Sequence, residues 1–234
     1  MHQFWAQKSL LNRLLWPVSL LFGGLIRLRR FLYSKKVLRA QQISVPVIVV
    51  GNIYIGGTGK TPVVIHLVKQ FQAAGMKPGV ISRGYQRENT RVIQVVTHDS
   101  DPAEVGDEPL LIKRKTGVPL IVARRRFAAA IELEKQFGCN VIIADDGLQH
   151  YSLKRDYEIV VVDASRRHGN GWLLPAGPLR EPVQRLNSVQ WVVANGGGDE
   201  YAGFWLQISK LFQVADPAKT LKIEELMNKR VHAV

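Results

Sequence analysis

The first acidic side chain in this 234-residue sequence is Glu88. The 87 residues before it carry 13 Lys and Arg, whereas the remainder balances 19 basic against 19 acidic residues, so the net charge of +13 belongs entirely to the first third. A surplus gathered in this way implies an anionic surface as partner, either a membrane or a nucleic acid. Cysteine is nearly absent as well. Cys139 alone cannot close an intrachain bridge, and no Cys/His cluster has zinc spacing, which excludes a disulfide- or zinc-stapled scaffold and fits a reducing compartment. No internal repeat is present, which excludes a solenoid. With 46% hydrophobic and 22% charged residues the chain is not disordered, and it is long enough for one large α/β domain or two small ones.

Long apolar runs are missing too. The longest uncharged stretch near the amino terminus, Leu14 to Ile26, would form about 20 Å of helix, short of the ~20 residues a bilayer crossing needs. Arg13 precedes it and Arg27, Arg29 and Arg30 follow, with Trp5, Trp16 and Tyr33 as rings suited to a headgroup zone. A basic cluster stands where a secretory signal would carry its cleavage site, so export is not expected. Residues 1–39 therefore read as a membrane-associated helical segment lying in the interface, bent or interrupted at Pro17 and at Gly23 and Gly24. The competing reading is a helix docked on the protein's own core. Nucleic acid is not an expected partner, because no recognised binding motif or stacking-aromatic pattern accompanies the charge.

The strongest chemical signal follows. Val45 to Val50 reads as a strand buried on both faces, and GNIYIGGTGKTP (Gly51 to Pro62) leads from it into a helix whose apolar residues Val63, Val64, Leu67, Val68 and Phe71 recur at helical spacing. Strand, glycine-rich loop and helix N-terminus form a phosphate cradle, because small residues let main-chain N–H groups approach an anion that the helix dipole favours. The cradle is expected over Tyr54, Ile55, Gly56, Gly57, Thr58, Gly59, Lys60 and Thr61, with Lys60 on the β- and γ-phosphates and the Thr61 hydroxyl on Mg²⁺. The strict pattern G-x-x-x-x-G-K-[ST] is not met, since Tyr54 occupies the first glycine position, which implies a different path out of the strand.

NVIIADDG (Asn140 to Gly147) is an apolar run ending on Asp145 and Asp146. Carboxylates at a strand tip beside a phosphate loop can hold Mg²⁺. Adjacent strand residues face opposite sides, so one of the pair is expected to be the main metal contact, and Asp145 is favoured as the nearer to the regular strand. An Asp-Asp-Gly turn without chemistry is the alternative. Asp107, in VGDEP at a helix entry, is a candidate base for an attacking hydroxyl or a simple cap.

The ordered set GNIYIGGTGKTP, ISRGY (Ile81 to Tyr85), VGDEP (Val105 to Pro109), ADDGLQH (Ala144 to His150) and GNGWLLPAGPLREP (Gly169 to Pro182) resembles the tetraacyldisaccharide 4'-kinase (lipid A kinase) family. The resemblance implies ATP-dependent phosphorylation of the 4'-hydroxyl of a lipid A disaccharide precursor at the cytoplasmic face of the bacterial inner membrane. It implies ATP and Mg²⁺, a phosphate loop at Tyr54 to Thr61, metal-associated Asp145 and Asp146, and Asp107 as base. It also implies a further carboxyl-terminal part, with a histidine assisting the base, beyond the point where this sequence stops; His232 is not assigned that role.

Further strands are expected at Lys77 to Ser82, Pro119 to Ala123, Tyr157 to Asp163 and Val189 to Asn195, a short one within Val92 to Val96, and helices at 62–74, 107–116 and 125–137. The alternation predicts an α/β, P-loop nucleoside-triphosphate-binding fold: a mostly parallel sheet with helices on both faces over residues 40–195, and the start of a smaller, truncated lobe over 196–234. Arg124, Arg125 and Arg126 at a helix start are expected to face solvent or a bound anion such as a sugar phosphate. Two rival functions remain: a soluble P-loop kinase for a small metabolite, and a nucleotide-dependent membrane-docking switch, the latter weakened because NGGGD (Asn195 to Asp199) lacks the lysine of a guanine-reading motif.

Overall fold

A computed structural model describes residues 5, 7–85, 87, 92–197, 200–206, 211–212 and 220–221. His232 and most of the expected smaller lobe lie outside the described residues.

Five strands of near-continuous β-branched and aliphatic residues form the centre of one sheet: β1 (Val47–Gly51), β2 (Pro78–Ser82), β4 (Leu120–Val122), β5 (Val141–Asp145) and β6 (Tyr157–Asp163). With the short β3 (Gln94–Val95), β7 (Trp191–Asn195) and β8 (Ala202–Phe204), the order is β3-β4-β2-β5-β1-β6-β7-β8. Every pairing is parallel except β3 on β4.

Alternate residues supply opposite layers, as the two-residue strand period requires. Ile48 and Val50 of β1, with Val141 and Ile143 of β5, join the layer containing Val64 and Val68 of α2 (Lys60–Ala73) and Ile112 of α4 (Asp107–Thr116). Val47, Val49, Ile142 and Ala144 join the opposite layer with Ala129 and Leu133 of α5 (Arg126–Lys135). The short α3 (Pro102–Val105) precedes α4, capped by Asp101, whose carboxylate accepts from the Ala103 N–H at 2.8 Å. These boundaries agree with the sequence expectation to within two residues, and α3, β8 and a 3-10 helix at Val183–Ser188 are additions to it.

Helix α1 (Leu10–Ser34) departs from expectation in one respect: it runs unbroken through Pro17, Gly23 and Gly24. Its burial is inverted relative to an ordinary surface helix. Asn12, Ser19 and Gly23 are its buried residues, while Leu10, Leu14, Leu21, Leu25 and Leu28 are exposed. At 100° per residue those leucines fall on one face and the buried trio on the opposite one. The inward face is held by hydrogen bonds. Asn12 Nδ2 donates to Ala176 O at 2.8 Å, and Ser19 Oγ donates to Leu173 O and accepts from Ala176 N, each at 2.9 Å. Gly23 is required by proximity, since a Cβ there would meet Leu173 Cδ1 at 2.8 Å. No helix among the described residues is long and apolar enough to cross a membrane.

A second compact unit, 205–234, contributes one described pairing, β9 (Leu211–Phe212) antiparallel to β10 (Thr220–Leu221).

Candidate active site

The phosphate loop and the paired carboxylates emerge from neighbouring parallel strands at the same end of the sheet. Val50 of β1 lies beside Asp145 of β5, and Gly51 lies beside Val160 of β6. Ligands of open α/β sheets sit beyond such carboxyl ends.

Tyr54 leaves β1 in an isolated antiparallel bridge with Leu179, and the Ile55 N–H donates to Pro178 O at 2.9 Å. An extended, paired residue thus stands where the strict motif uses a glycine turn, so the loop needs no glycine there. The left-handed positions come later, at Gly56 (φ 98°) and Gly59 (φ 89°), the second being the N-cap of α2. No side chain caps that helix, so its first N–H groups suit an anion. Thr58 and Thr61 are buried. Lys60, also buried, extends to 3.5 Å from Asp146 Oδ1.

Asp145 is the last residue of β5 and almost fully buried. Its Oδ2 accepts from Ser82 Oγ at 3.1 Å, while its Oδ1 has no hydrogen-bond partner among the described residues. Burial first, then the charges of Asp146 and Glu108, push this carboxyl up to about 6 against the pull of Lys60 and Arg126. Asp146 adopts a left-handed backbone (φ 47°), one step past the regular strand. The alternation that would have turned the two side chains to opposite faces therefore stops at Asp145, and the Lys60 charge acts on both. Burial would raise Asp146, yet Lys60, Arg180 and Arg126 outweigh it and hold its carboxyl below the ordinary range. Arg180 Nη1 lies 3.3 Å from Asp146 Oδ2, and Arg126 Nη2 donates to the Asp146 carbonyl at 2.8 Å.

The orphaned, buried Asp145 Oδ1 beside a second carboxylate fits a divalent cation. Mg²⁺ characteristically uses one or two protein carboxylates, a hydroxyl, water and substrate phosphates, so the absence of a cluster of three or more acidic or His/Cys ligands among the described residues is compatible with it.

Beyond Asp146 a cavity of about 1340 Å³ opens, lined by Arg29 of α1, Arg83, Arg124, Arg125, Arg126 and Arg180, with Gln41, Ile93, Phe127, Ala128, Asp146, Gln149, His150 and Ser152. Six guanidiniums against one carboxylate give it the chemistry to take a large anionic molecule. Arg126 is nearly fully buried, and burial lowers its guanidinium to about 10 despite the pull of Asp146 and Asp145. Burial, followed by Arg126 and Arg155, drops the His150 imidazole to about 4, so it is neutral at pH 7; it hydrogen-bonds Ser152 Oγ at 2.9 Å. A smaller, mostly apolar cavity of about 300 Å³ lies between α1 (Phe22, Ile26) and Leu174, sharing Arg29, Gln149 and Arg180 with the larger one.

Asp107 sits exposed in the first turn of α4, and the α4 carboxylate whose charge reaches Asp145 is its neighbour Glu108. Asp107 is not among the described residues lining the arginine cavity. Sequence reasoning singled out Arg126 within its triplet, but missed Ser82, Asn52, Arg83, Arg166 and Arg180. Asn52, Ser82, Arg83 and Arg180 sat inside recognisable motifs, and Asn52 lies only four and six residues from the loop atoms it holds; nothing local marks Arg166, whose loop partner Gly57 is 109 residues away.

Known proteins show the same arrangement of sequence. The family model for tetraacyldisaccharide-1-P 4'-kinase matches residues 11–233. The tetraacyldisaccharide 4'-kinase of Methylobacillus flagellatus is 51% identical over 221 residues, covering 93% of this chain and 66% of the relative. That of Coxiella burnetii is 46% identical over 99% of this chain and 69% of its own length. The chain thus spans about two thirds of the length of these curated relatives. Among solved structures, LpxK from Aquifex aeolicus in complex with ATP superposes with a TM-score of 0.74 at 28% identity, covering 95% of this chain and 73% of that one.

Proposed function

The chain belongs to the tetraacyldisaccharide-1-P 4'-kinase family, and from that premise we propose that it forms the catalytic core of an ATP-dependent lipid kinase. The reaction moves the γ-phosphoryl group of ATP to the 4'-hydroxyl of an acylated disaccharide phosphate, releasing ADP. One observation carries the reading: Asp146 contacts Lys60 of the phosphate loop and at the same time lines the arginine cavity, so donor and acceptor sites share a residue.

In this reading the loop from Tyr54 to Thr61 cradles the triphosphate, with Tyr54 and Ile55 tied to Leu179 and Pro178 as its fixed base and the amides from Gly57 to Gly59 facing the phosphates, while Lys60 neutralises charge on the transferred group. Thr61, Asp145 and Asp146 would hold Mg²⁺, which when bound supplies further neutralisation of the phosphate oxygens. The cavity guanidiniums take the acceptor's existing phosphate, and Asp107 receives the proton of the attacking hydroxyl as the new O–P bond forms and the bond to ADP breaks. The apolar cavity against α1 suits an acyl chain. The outward leucine face of α1, flanked by its arginines, rests on the cytoplasmic surface of the inner membrane, where such a substrate resides. That face and a cavity of this volume both disfavour a soluble kinase for a small metabolite.

The test is phosphorylation of a lipid-linked disaccharide by the full-length enzyme with labelled ATP. Lys60→Ala and Asp145→Ala are expected to abolish transfer and leave vesicle binding unchanged. Transfer at the wild-type rate in either variant overturns the site.

A further inference from the structure

Three consecutive carbonyls of the phosphate loop are each gripped from outside by a side-chain donor. Asn52 Nδ2, just past β1, donates to Gly56 O at 3.0 Å and to Thr58 Oγ1 at 3.3 Å. Arg166 Nη2, past the end of β6, donates to Gly57 O. Asn195 Nδ2, the last residue of β7, donates to Thr58 O at 3.4 Å. Because a trans peptide points its C=O and N–H in opposite directions, fixing these three carbonyls aims the N–H groups of Gly57, Thr58 and Gly59 away from the donors. None of those N–H groups has an acceptor among the described residues. We infer that Arg166 and Asn195, together with Asn52, are positioning residues that set the loop's amides for phosphate before the nucleotide arrives.

Arg166 is itself held on two sides. Its Nε lies 2.8 Å from Asp163 Oδ2, and its guanidinium stacks 5.4 Å above the Tyr54 ring. Burial alone would raise the Asp163 carboxyl, but hydrogen bonds from Ser165 and Arg166 outweigh it and keep it ionised below the ordinary range. This gives Tyr54 a purpose at the position where the strict motif has glycine: its ring is the platform for the cation that orients the Gly57 peptide. Asn195 packs so close that a Cβ on Gly59 would lie 2.6 Å from its Nδ2, leaving the loop no room to rotate toward β7. A cradle ordered in advance binds more tightly because less conformational entropy is lost on association.

The inference rests on the kinase reading, and titration of the full-length enzyme with MgATP separates the two. Arg166→Ala and Asn195→Ala are expected to raise the dissociation constant at least tenfold. Asn195→Asp, which keeps the shape but turns an acceptor toward the Thr58 carbonyl, is expected to weaken binding more than Asn195→Ala at an unchanged melting temperature, a result that loss of packing would not give. Arg166→Lys, still able to donate to one carbonyl, is expected to recover part of the loss. Lys60→Ala is the reference. If it weakens MgATP while the Arg166 and Asn195 variants stay within twofold of wild type, the positioning role is refuted and the phosphate loop stands. If Lys60→Ala itself binds MgATP normally, the phosphate-loop reading falls and this inference with it. Should Arg166→Ala melt early, the Asn195 pair decides.

Discussion

Replacing Leu14, Leu21 and Leu25 together by serine should detach the protein from membranes without unfolding it. These side chains are 68%, 72% and 66% exposed and share the face of α1 opposite to Asn12, Ser19 and Gly23. Fully burying a leucine is worth about 1.5–3 kcal/mol, so inserting the two thirds that each exposes gives ~1–2 kcal/mol apiece and ~3–6 kcal/mol for the three. That corresponds to a fall in vesicle partitioning on the order of 10²- to 10⁴-fold. None of the three supports the hydrogen bonds to Leu173 and Ala176, so the melting temperature should move by only a few degrees. Co-sedimentation with anionic phospholipid vesicles reads the partitioning, and the binding left in the variant should weaken more steeply as salt is raised, because Leu10 and Leu28 are what remains of that leucine face and the basic residues carry a larger share. A folded triple variant that partitions within twofold of wild type would refute the assignment of this face to the membrane.

The raised Asp145 carboxyl sets a pH dependence. It binds a proton more tightly folded than unfolded, so its contribution to stability falls as pH rises from about 4 to about 6, while a divalent cation competing with that proton gains affinity over the same window. Thermal stabilisation by added Mg²⁺ should therefore be large at pH 7.5, shrink below pH 6 and vanish in Asp145→Asn; a shift independent of pH would contradict the assignment. Arg185 is buried with its Nη2 2.5 Å from Glu158 Oε1 and its Nε 3.2 Å from Glu181 Oε2, so Arg185→Ala removes the cation shared by two buried carboxylates, leaving Glu158 with Arg155 and Glu181 with only the neutral donors Gln149 and Tyr151. The expected cost is about 3–5 kcal/mol, a drop in melting temperature of roughly 6–20 °C, and calorimetry showing less than about 2 °C would count against it. Gly59→Ala combines a left-handed backbone with a clash against Asn195 and should weaken MgATP by more than tenfold while the melting temperature falls only slightly; unchanged nucleotide affinity would mean the loop tolerates another shape.

How much of the site could be read in advance depended on the range of each interaction. The loop from Tyr54 to Thr61 and the pair Asp145 and Asp146 were legible because each is contiguous and sits between a strand and a turn, patterns set by backbone geometry and side-chain size. Arg126 was visible as an odd cation at a helix start. Arg180 and Arg166 were not visible as site residues, since their meaning comes from Asp146 and Gly57, 34 and 109 residues away. Of the bend or interruption expected in α1 at Pro17 and the paired glycines, the interruption is absent: that expectation weighed local propensity alone, whereas the docked face from Asn12 to Gly23 holds the helix continuous.

Local chemistry by itself determined the strands, the helices, the phosphate loop, the two carboxylates and the one-sided charge of the first third, because hydrophobic period, glycine freedom and charge are properties of short stretches. Only the tertiary structure decided which way the leucines of α1 face, that a left-handed Asp146 leaves both carboxylates under the influence of Lys60, and that arginines from α1, the β2 end, α5 and the segment after Leu179 surround one cavity. Those outcomes depend on register between strands and on packing between distant segments, and no window of sequence contains them.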